Sequence, residues 1–189
     1  MKIIRALFIG LLAFSFFAPA YAGKMAKAKG PMVVSPDKAT IVFMRPGKFV
    51  GAAIAVPVFD VTGDDTRFVG IVDAGGKVAY SVPAGEHVFM TTVFGGDSGV
   101  RFQKAEVAAG KVYYFRAHII NGLWGLEPVR ASALSGSEFK SWDKKTRLLE
   151  NSPKTLAWGE NNLADAKRKK GLEPKEISDE LTLHVEDGR

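Results

Sequence analysis

The residues of this chain best suited to acid–base or metal chemistry are its three histidines, His87, His118 and His184. Their spacing is too wide for a helical metal-binding motif. A sheet could bring His87 and His118 together, but a metal site would still need a third ligand from Asp or Glu. His87 follows a Pro-Ala-Gly turn, which favours a local hydrogen bond within that hairpin. We therefore predict no metal site.

Ser98 lies in a Gly-Asp-Ser-Gly segment at residues 96–99, a pattern found around the nucleophile of chymotrypsin-like proteases. That chemistry needs a histidine base oriented by a buried aspartate, and an oxyanion hole. The only upstream histidine, His87, lies on the immediately preceding predicted strand, and the chain lacks the length of two barrels. We interpret the segment as a polar loop tip.

Two Ser-x-x-Lys segments, at residues 35–38 and 137–140, match a pattern of penicillin-recognising enzymes. The pattern works where the serine opens a buried helix and the lysine follows one turn later. Ser35 precedes a predicted strand, and Ser137 has no Lys-Thr-Gly partner downstream. Ser137 is interpreted as a helix cap. We predict no catalytic residue, and a serine hydrolase using Ser98 or Ser137 is the least favoured alternative.

The strand predicted over residues 112–120 carries the best binding candidates, because alternation sends every second side chain to the same face. The face expected to meet the core has Tyr113, Phe115, Ala117 and Ile119, and the wetter face has Val112, Tyr114, Arg116, His118 and Ile120. We predict binding through Tyr114, Arg116 and His118, together with Trp124 in the following Gly-flanked loop. Trp124 could stack on a sugar or enter a partner, but capping the core is favoured for it.

The elements that must position these residues are short, rich in Val, Ile, Phe and Tyr, and separated by turn signals. They are predicted at residues 39–45, 54–59, 67–72, 78–82, 87–94, 101–107, 112–120 and 127–133. The pattern predicts a mainly β fold, an antiparallel β-sandwich of about seven to eight strands followed by two C-terminal α-helices. Residues 39–45 are apolar on both faces, which predicts a central strand covered on its second side by the helices.

Two turns share one form, since residues 82–85 and 107–110 each end in glycine before a predicted strand. Pro83 presets the first turn dihedral. Gly85 and Gly110 occupy a position that commonly needs positive φ. We assign these three residues structural roles in the turns.

The region after residue 134 has a helical pattern. Phe139, Trp142 and Leu149 predict a helix over residues 137–150, and Ser152-Pro153 begins a second helix that ends near residue 170. The basic run at residues 167–170 is interpreted as a solvated helix end, with a docking patch for anionic lipid or polymer as the alternative. Residues 181–185 alternate like a strand, and both a short strand and a frayed end remain open.

The first 22 residues have the pattern of a secretory signal peptide. Lys2 and Arg5 precede an apolar run at residues 6–17, and Ala20 and Ala22 are the small residues before the expected cleavage. The run is too short for a comfortable membrane span. We predict an exported chain, periplasmic or extracellular, with no transmembrane span. It divides into a flexible basic leader at residues 23–36, a sandwich domain at 37–134 and a helical extension at 135–189.

The charge and the cysteine content of the chain limit the classes of partner and cofactor that we expect. The formal charge of +6 falls to +4 without the signal peptide, and three of those charges come from the leader at Lys24, Lys27 and Lys29. No basic cluster remains on the folded part, which argues against nucleic-acid binding. The chain has no cysteine, which excludes disulfides and cysteine-ligated metals. We predict no cofactor.

Several short motifs occur together in a recognisable order. They are Arg45-Pro46-Gly47, Gly51, Val69-Gly70, the 82–87 segment Val-Pro-Ala-Gly-Glu-His and the 109–114 segment Ala-Gly-Lys-Val-Tyr-Tyr. This order resembles a bacterial exported domain family of unknown function, similar to PEGA-type sandwich modules, over residues 38–130. The middle hairpin, at residues 60–65, is longer in this chain than the Asp-Gly turn that members of that family often have at this place. The resemblance implies a small β-sandwich in the cell envelope and brings no catalytic residues.

The function predicted from these observations is that of a non-enzymatic exported envelope protein. It would bind or scaffold an unknown envelope protein, lipid or glycan. The alternative in a different class is a carrier of lipid or another hydrophobic ligand, with the helices closing over the sandwich.

Overall fold

A computed structural model of the chain describes residues 25–47, 54–93, 96–120 and 123–189. The predicted signal peptide lies outside these residues. Within them, eleven strands form two sheets, which confirms the mainly β prediction. The strands are β1 (Ala26–Lys27), β2 (Ala39–Arg45), β3 (Pro57–Asp60), β4 (Arg67–Ile71), β5 (Gly76–Val82), β6 (Gly85–Thr92), β7 (Val100–Val107), β8 (Val112–Ile120), β9 (Leu123–Pro128), β10 (Arg147–Glu150) and β11 (Thr182–Leu183).

The two sheets are mixed, so the prediction of a purely antiparallel sandwich is wrong in that respect. The first sheet has the order β1-β10-β5-β2-β8-β9, and the second has the order β11-β7-β6-β3-β4. Three pairs are parallel, namely β2 with β8, β10 with β5 and β11 with β7. Each joins strands far apart in the sequence, whereas turn signals report only the antiparallel hairpins between neighbours.

β2 lies in the centre of the first sheet and is buried along its whole length. Its inner face, with Ile41 and Phe43, meets the second sheet. Its outer face packs against Leu134 and Phe139, which follow β9 in the chain. The prediction of a central strand is confirmed, and so is its cover by the first predicted helix; the second predicted helix instead packs on the other sheet, where Trp158 contacts Phe59 and Phe68.

Three α-helices follow β9 in the described chain, α1 (Ala131–Leu134), α2 (Ser137–Lys145) and α3 (Pro153–Lys170). The helix predicted over residues 137–150 is wrong beyond Lys145, because β10 begins two residues later. Thr146 is extended, and Arg147 N then donates to Gly75 O at 3.0 Å. Leu149 enters the space that a side chain at Gly76 would need, since a Cβ there would lie 3.2 Å from Leu149 Cγ.

α3 begins as predicted, since Ser152 Oγ accepts a hydrogen bond from Thr155 N and Pro153 opens the helix. The first and the last strand of the described chain also join the sheets. β1, within the predicted leader, pairs with β10, and β11 supplies the short strand left open for residues 181–185.

The core lies between the sheets and is rich in aromatic rings. Phe43 lies 5.1 Å from Phe89 and 5.7 Å from Phe115, measured between ring centroids. α3 covers the outer face of the second sheet, where Trp158 contacts Phe59 and Phe68. In the described part of the chain, no helix is both long and apolar enough to cross a membrane.

Candidate binding site

Arg116 and His118, two of the predicted binding residues, meet at Glu127 on the outer face of the β8–β9 hairpin. Arg116 and Glu127 are directly paired across the two strands. Arg116 donates to Glu127 Oε2 from Nε at 3.1 Å and from Nη2 at 2.5 Å. His118 Nε2 is buried and lies 3.0 Å from the same oxygen without forming a regular hydrogen bond to it. One carboxylate thus orients both side chains.

Trp142 of α2 completes this group. The Arg116 guanidinium lies over the indole ring, 4.6 Å from its centroid, in cation–π geometry. The side chains of Arg116, His118 and Glu127 are 25%, 34% and 44% exposed. We name these four residues, Arg116, His118, Glu127 and Trp142, the hairpin cluster. It presents a fixed charge pair and aromatic surface to the solvent.

Tyr114 lies on the same face of β8 but is buried. Its ring packs edge-on against Phe139 at 4.8 Å between centroids, and its hydroxyl accepts from Arg189 Nη2 at 2.5 Å. The expectation of a wetter face is therefore wrong for Val112 and Tyr114, because α1 and α2 cover this end of the strand.

Trp124 faces the opposite side of the sheet and belongs to the core between the sheets. It is 6% exposed, and the Arg45 guanidinium lies 4.0 Å from its ring centroid. Arg45 is itself buried and donates from Nη1 to Ile54 O at 2.5 Å. This is the core-capping position favoured from the sequence. Trp124 lies in strand β9 and not in the loop predicted for it, and residues 121–122 lie outside the described residues.

The charges near the hairpin cluster affect His118. Burial lowers the pKa of His118 below its ordinary value, and the Arg116 charge lowers it further, while the Glu127 carboxylate opposes both effects. The imidazole is therefore neutral at pH 7. Burial likewise lowers the pKa of Arg45, against the opposing charge of Asp73, and the guanidinium stays charged.

The two serines considered as nucleophiles have no histidine beside them in the described residues. Ser98 lies on an exposed turn, and the neighbouring Asp97 accepts from Arg168 at 2.7 Å. His184 lies 2.9 Å from Asp179. His87 lies 3.0 Å from Pro83 O, the local hairpin hydrogen bond predicted for it. Across the described ranges, no group of three or more His, Asp or Glu side chains could hold a metal ion.

The turn residues have the conformation that their pattern predicts. Gly85 and Gly110 have φ values of 131° and 74°. Pro83 closes the same turn as Gly85, and its carbonyl receives the His87 contact. These turns fix where β6 and β8 begin, and through β8 they set the position of the hairpin cluster.

The basic run at the end of α3 is largely engaged in ion pairs and hydrogen bonds. Arg168 bridges Asp97 and Asp165, and the buried Lys169 pairs with Asp165 at 2.7 Å. Lys170 Nζ donates to Gly63 O and, at 3.2 Å, to Asp65 O. These contacts tie α3 to two loops of the second sheet.

Sequence reasoning missed Glu127 and Trp142 as members of this site. The sequence pattern identifies Trp142 only as an apolar helical position and Glu127 only as part of a strand. The register of β8 on β9 and the position of α2 create the cluster, and neither is readable from local spacing. No protein-family model matches this sequence, and no curated protein matches it.

Proposed function

We propose that this chain is a non-enzymatic domain of the bacterial cell envelope that binds or scaffolds a protein partner through the hairpin cluster. The signal-peptide pattern at residues 1–22 and the resemblance to exported sandwich modules support its place outside the cytoplasm. The observation that carries the proposal is the stacking of Arg116 on Trp142 at a partly exposed surface. Arg and Trp are the residue types that most often dominate protein interfaces.

Preorganisation supports this use of the surface. Glu127 holds Arg116 by two hydrogen bonds, and Trp142 supports the guanidinium from its face. A side chain already fixed in one rotamer loses little conformational entropy when a partner docks. The remaining exposure of Glu127 leaves carboxylate oxygen available to a donor on the partner.

The packing between the sheets supports a binding domain over a carrier of long acyl chains. Phe43, Phe89 and Phe115 are in mutual ring contact where such a chain would need to lie. A lipid carrier would have to separate these rings and lose their packing.

The test is a crosslinking pull-down from native envelope with the wild-type chain and the Arg116→Ala/Trp142→Ala variant. We expect the double variant to recover much less of the same crosslinked partner at a temperature at which circular dichroism shows both proteins to be folded. Lys154→Ala, an exposed substitution on α3, is the control and should recover wild-type amounts. Equal recovery by the double variant would refute the proposed surface.

Three further measurements test the other parts of the proposal. N-terminal sequencing of the protein from the envelope fraction should begin at Gly23. A serine-reactive fluorophosphonate probe should leave the purified protein unlabelled, and labelling that disappears in Ser98→Ala or Ser137→Ala would establish a hydrolase instead. Native mass spectrometry should find no co-purified lipid.

A further inference from the structure

One end of the space between the sheets is polar, in contrast to the aromatic middle. In the first sheet, Arg45 ends β2, and Trp124 lies near the start of β9 at the same end, because β8 continues past Arg45 before turning into β9. In the second sheet, β6 starts near the opposite end of the space between the sheets and runs toward the Arg45 end. Its last residues, Thr91 and Thr92, therefore lie at the Arg45 end.

Three polar side chains of the second sheet face this end of the interior. Phe89 and Ala105 belong to the core between the sheets. Because side chains alternate along a strand, Thr91 lies on the same face of β6 as Phe89. For the same reason, Arg101 and Gln103 lie on the same face of β7 as Ala105. Thr91 pairs directly with Arg101 across β6 and β7. Gln103 is the next residue along on that face.

Gln103 and Thr91 are both fully buried, and their polar atoms have no hydrogen-bond partner among the described residues. The atoms concerned are Gln103 Oε1, Gln103 Nε2 and Thr91 Oγ1. Buried amides and hydroxyls in folded proteins are nearly always hydrogen-bonded, because leaving them unpaired costs free energy that a folded chain rarely tolerates. Three unpaired atoms of this kind at one end of a core indicate that something else supplies their partners.

Arg101 adds positive charge at the edge of this group. It is only partly buried, and Nη1 donates to its own neighbour's carbonyl, Val100 O, at 2.9 Å. A guanidinium has five N–H donors, so most of them are not used by this bond. Gly125 lies alongside, since a Cβ there would be 3.8 Å from both Arg101 Cγ and Gln103 Nε2. The nearest atom to that position is Ile120 Cδ1 at 3.2 Å, so Gly125 and Ile120 both lie beside the Gln103 amide.

We propose that Thr91, Arg101 and Gln103, together with Gly125 and Trp124, form a binding site for a small carboxylate that carries a hydroxyl or amino group on the adjacent carbon. The carboxylate accepts from Arg101 and from Gln103 Nε2. The neighbouring hydroxyl or amino group donates to Gln103 Oε1, and Thr91 Oγ1 donates or accepts beside it. The ligand is short, because the aromatic core begins at Phe89, which pairs with Gln103. This site is separate from the hairpin cluster, so either proposal can fail alone.

Isothermal titration calorimetry with three matched probes tests this chemistry. Lactate has the carboxylate and the adjacent hydroxyl, propionate lacks the hydroxyl, and lactamide lacks the negative charge. We expect saturable binding of lactate at millimolar concentrations and at least about tenfold weaker binding of each of the other two. Equal binding of all three, or no saturable binding of lactate, would overturn the proposal.

Variants locate the binding. Gln103→Leu and Thr91→Val should each weaken lactate binding about tenfold or more. Their melting temperatures should stay the same or rise, because each replaces an unpaired polar group by an apolar one of similar size. The matched control is Thr40→Val, since Thr40 Oγ1 is also buried without a partner in the described residues but lies on the outer face of β2. Unchanged binding in Gln103→Leu, or a lactate-soaked crystal with water alone at Gln103, would refute the site.

Discussion

The ring of Phe68 lies directly against Gly159. A Cβ atom at position 159 would be 2.5 Å from Phe68 Cγ and 3.0 Å from Phe68 Cβ. The ring is held on its other sides by Phe59 and Trp158, at 5.4 and 5.6 Å between centroids. α3 therefore approaches the second sheet through a glycine, and the ring beneath it has little freedom to move.

Gly159→Ala should destabilise the protein although alanine is the better helix former. Helix propensity favours the alanine by roughly 1 kcal/mol. The added methyl group overpacks the contact with Phe68, which typically costs about 1–3 kcal/mol. We expect urea denaturation to give a lower free energy of unfolding for the variant.

A second substitution identifies the cause of that loss. Phe68→Leu alone should be destabilising, but adding Gly159→Ala to it should cost less than the same change in the wild type. A Gly159→Ala protein at least as stable as the wild type would mean that α3 does not pack on Phe68 as described.

Gly85→Val should lower the free energy of unfolding by more than about 1 kcal/mol through backbone strain alone. Gly85 has φ of 131°, and a Cβ built there meets nothing within 4 Å. Gly30→Val is the control, because Gly30 also has nothing within 4 Å but does not need a positive φ. Thermal unfolding should therefore separate the two variants, and similar melting temperatures would contradict the assigned turn.

The parts of the fold that the sequence predicts are those specified by neighbouring residues. Ser152 and Pro153 mark the start of α3 because capping needs only the first turn. β2 is recognisable as central because both of its faces are apolar. Gly85 and Gly110 mark turns whose geometry few other residues accept.

The parts that the sequence does not predict depend on distant partners. Leu149 fits helical spacing as well as it fits a strand, and pairing with β5 decides in favour of the strand. Alternation alone places Tyr114 on a solvent-facing side of β8, because it does not reveal that α2 covers this residue. Gln103 is not marked by its sequence, since a glutamine between Phe102 and Lys104 is ordinary on a half-exposed strand and is unusual only once it is buried.

Asp187→Asn should destabilise the protein more at neutral pH than in acid. Burial alone would raise the pKa of Asp187, but hydrogen bonds from His184 N, Ala131 N and Arg130 outweigh it and hold that pKa below its ordinary value. The unfolded state therefore binds this proton more readily. The stabilisation is fully present above the unfolded pKa of about 4 and is lost as the pH falls through the lower folded pKa.

Urea titrations at a series of pH values check this dependence. The difference in unfolding free energy between wild type and Asp187→Asn should be largest near pH 7 and shrink as the pH falls below about 4. Glu186→Gln, at the exposed neighbouring position, should show a small difference throughout. A gap that stays constant across the acid range would rule out the lowered pKa.

His118 provides the pH dependence of the hairpin cluster itself. Because burial and the Arg116 charge lower its pKa below 6.5, the unfolded chain binds this proton more readily than the folded one. Its contribution to stability is present above the unfolded pKa and is lost as the pH falls through the folded pKa. In an NMR titration, the His118 ring should have a midpoint below 6.5, and Arg116→Gln should raise that midpoint because it removes the positive charge that disfavours the imidazolium. A midpoint at or above the ordinary value in the wild type would show that the imidazole is not held in the buried position beside Arg116 from which the cluster is built.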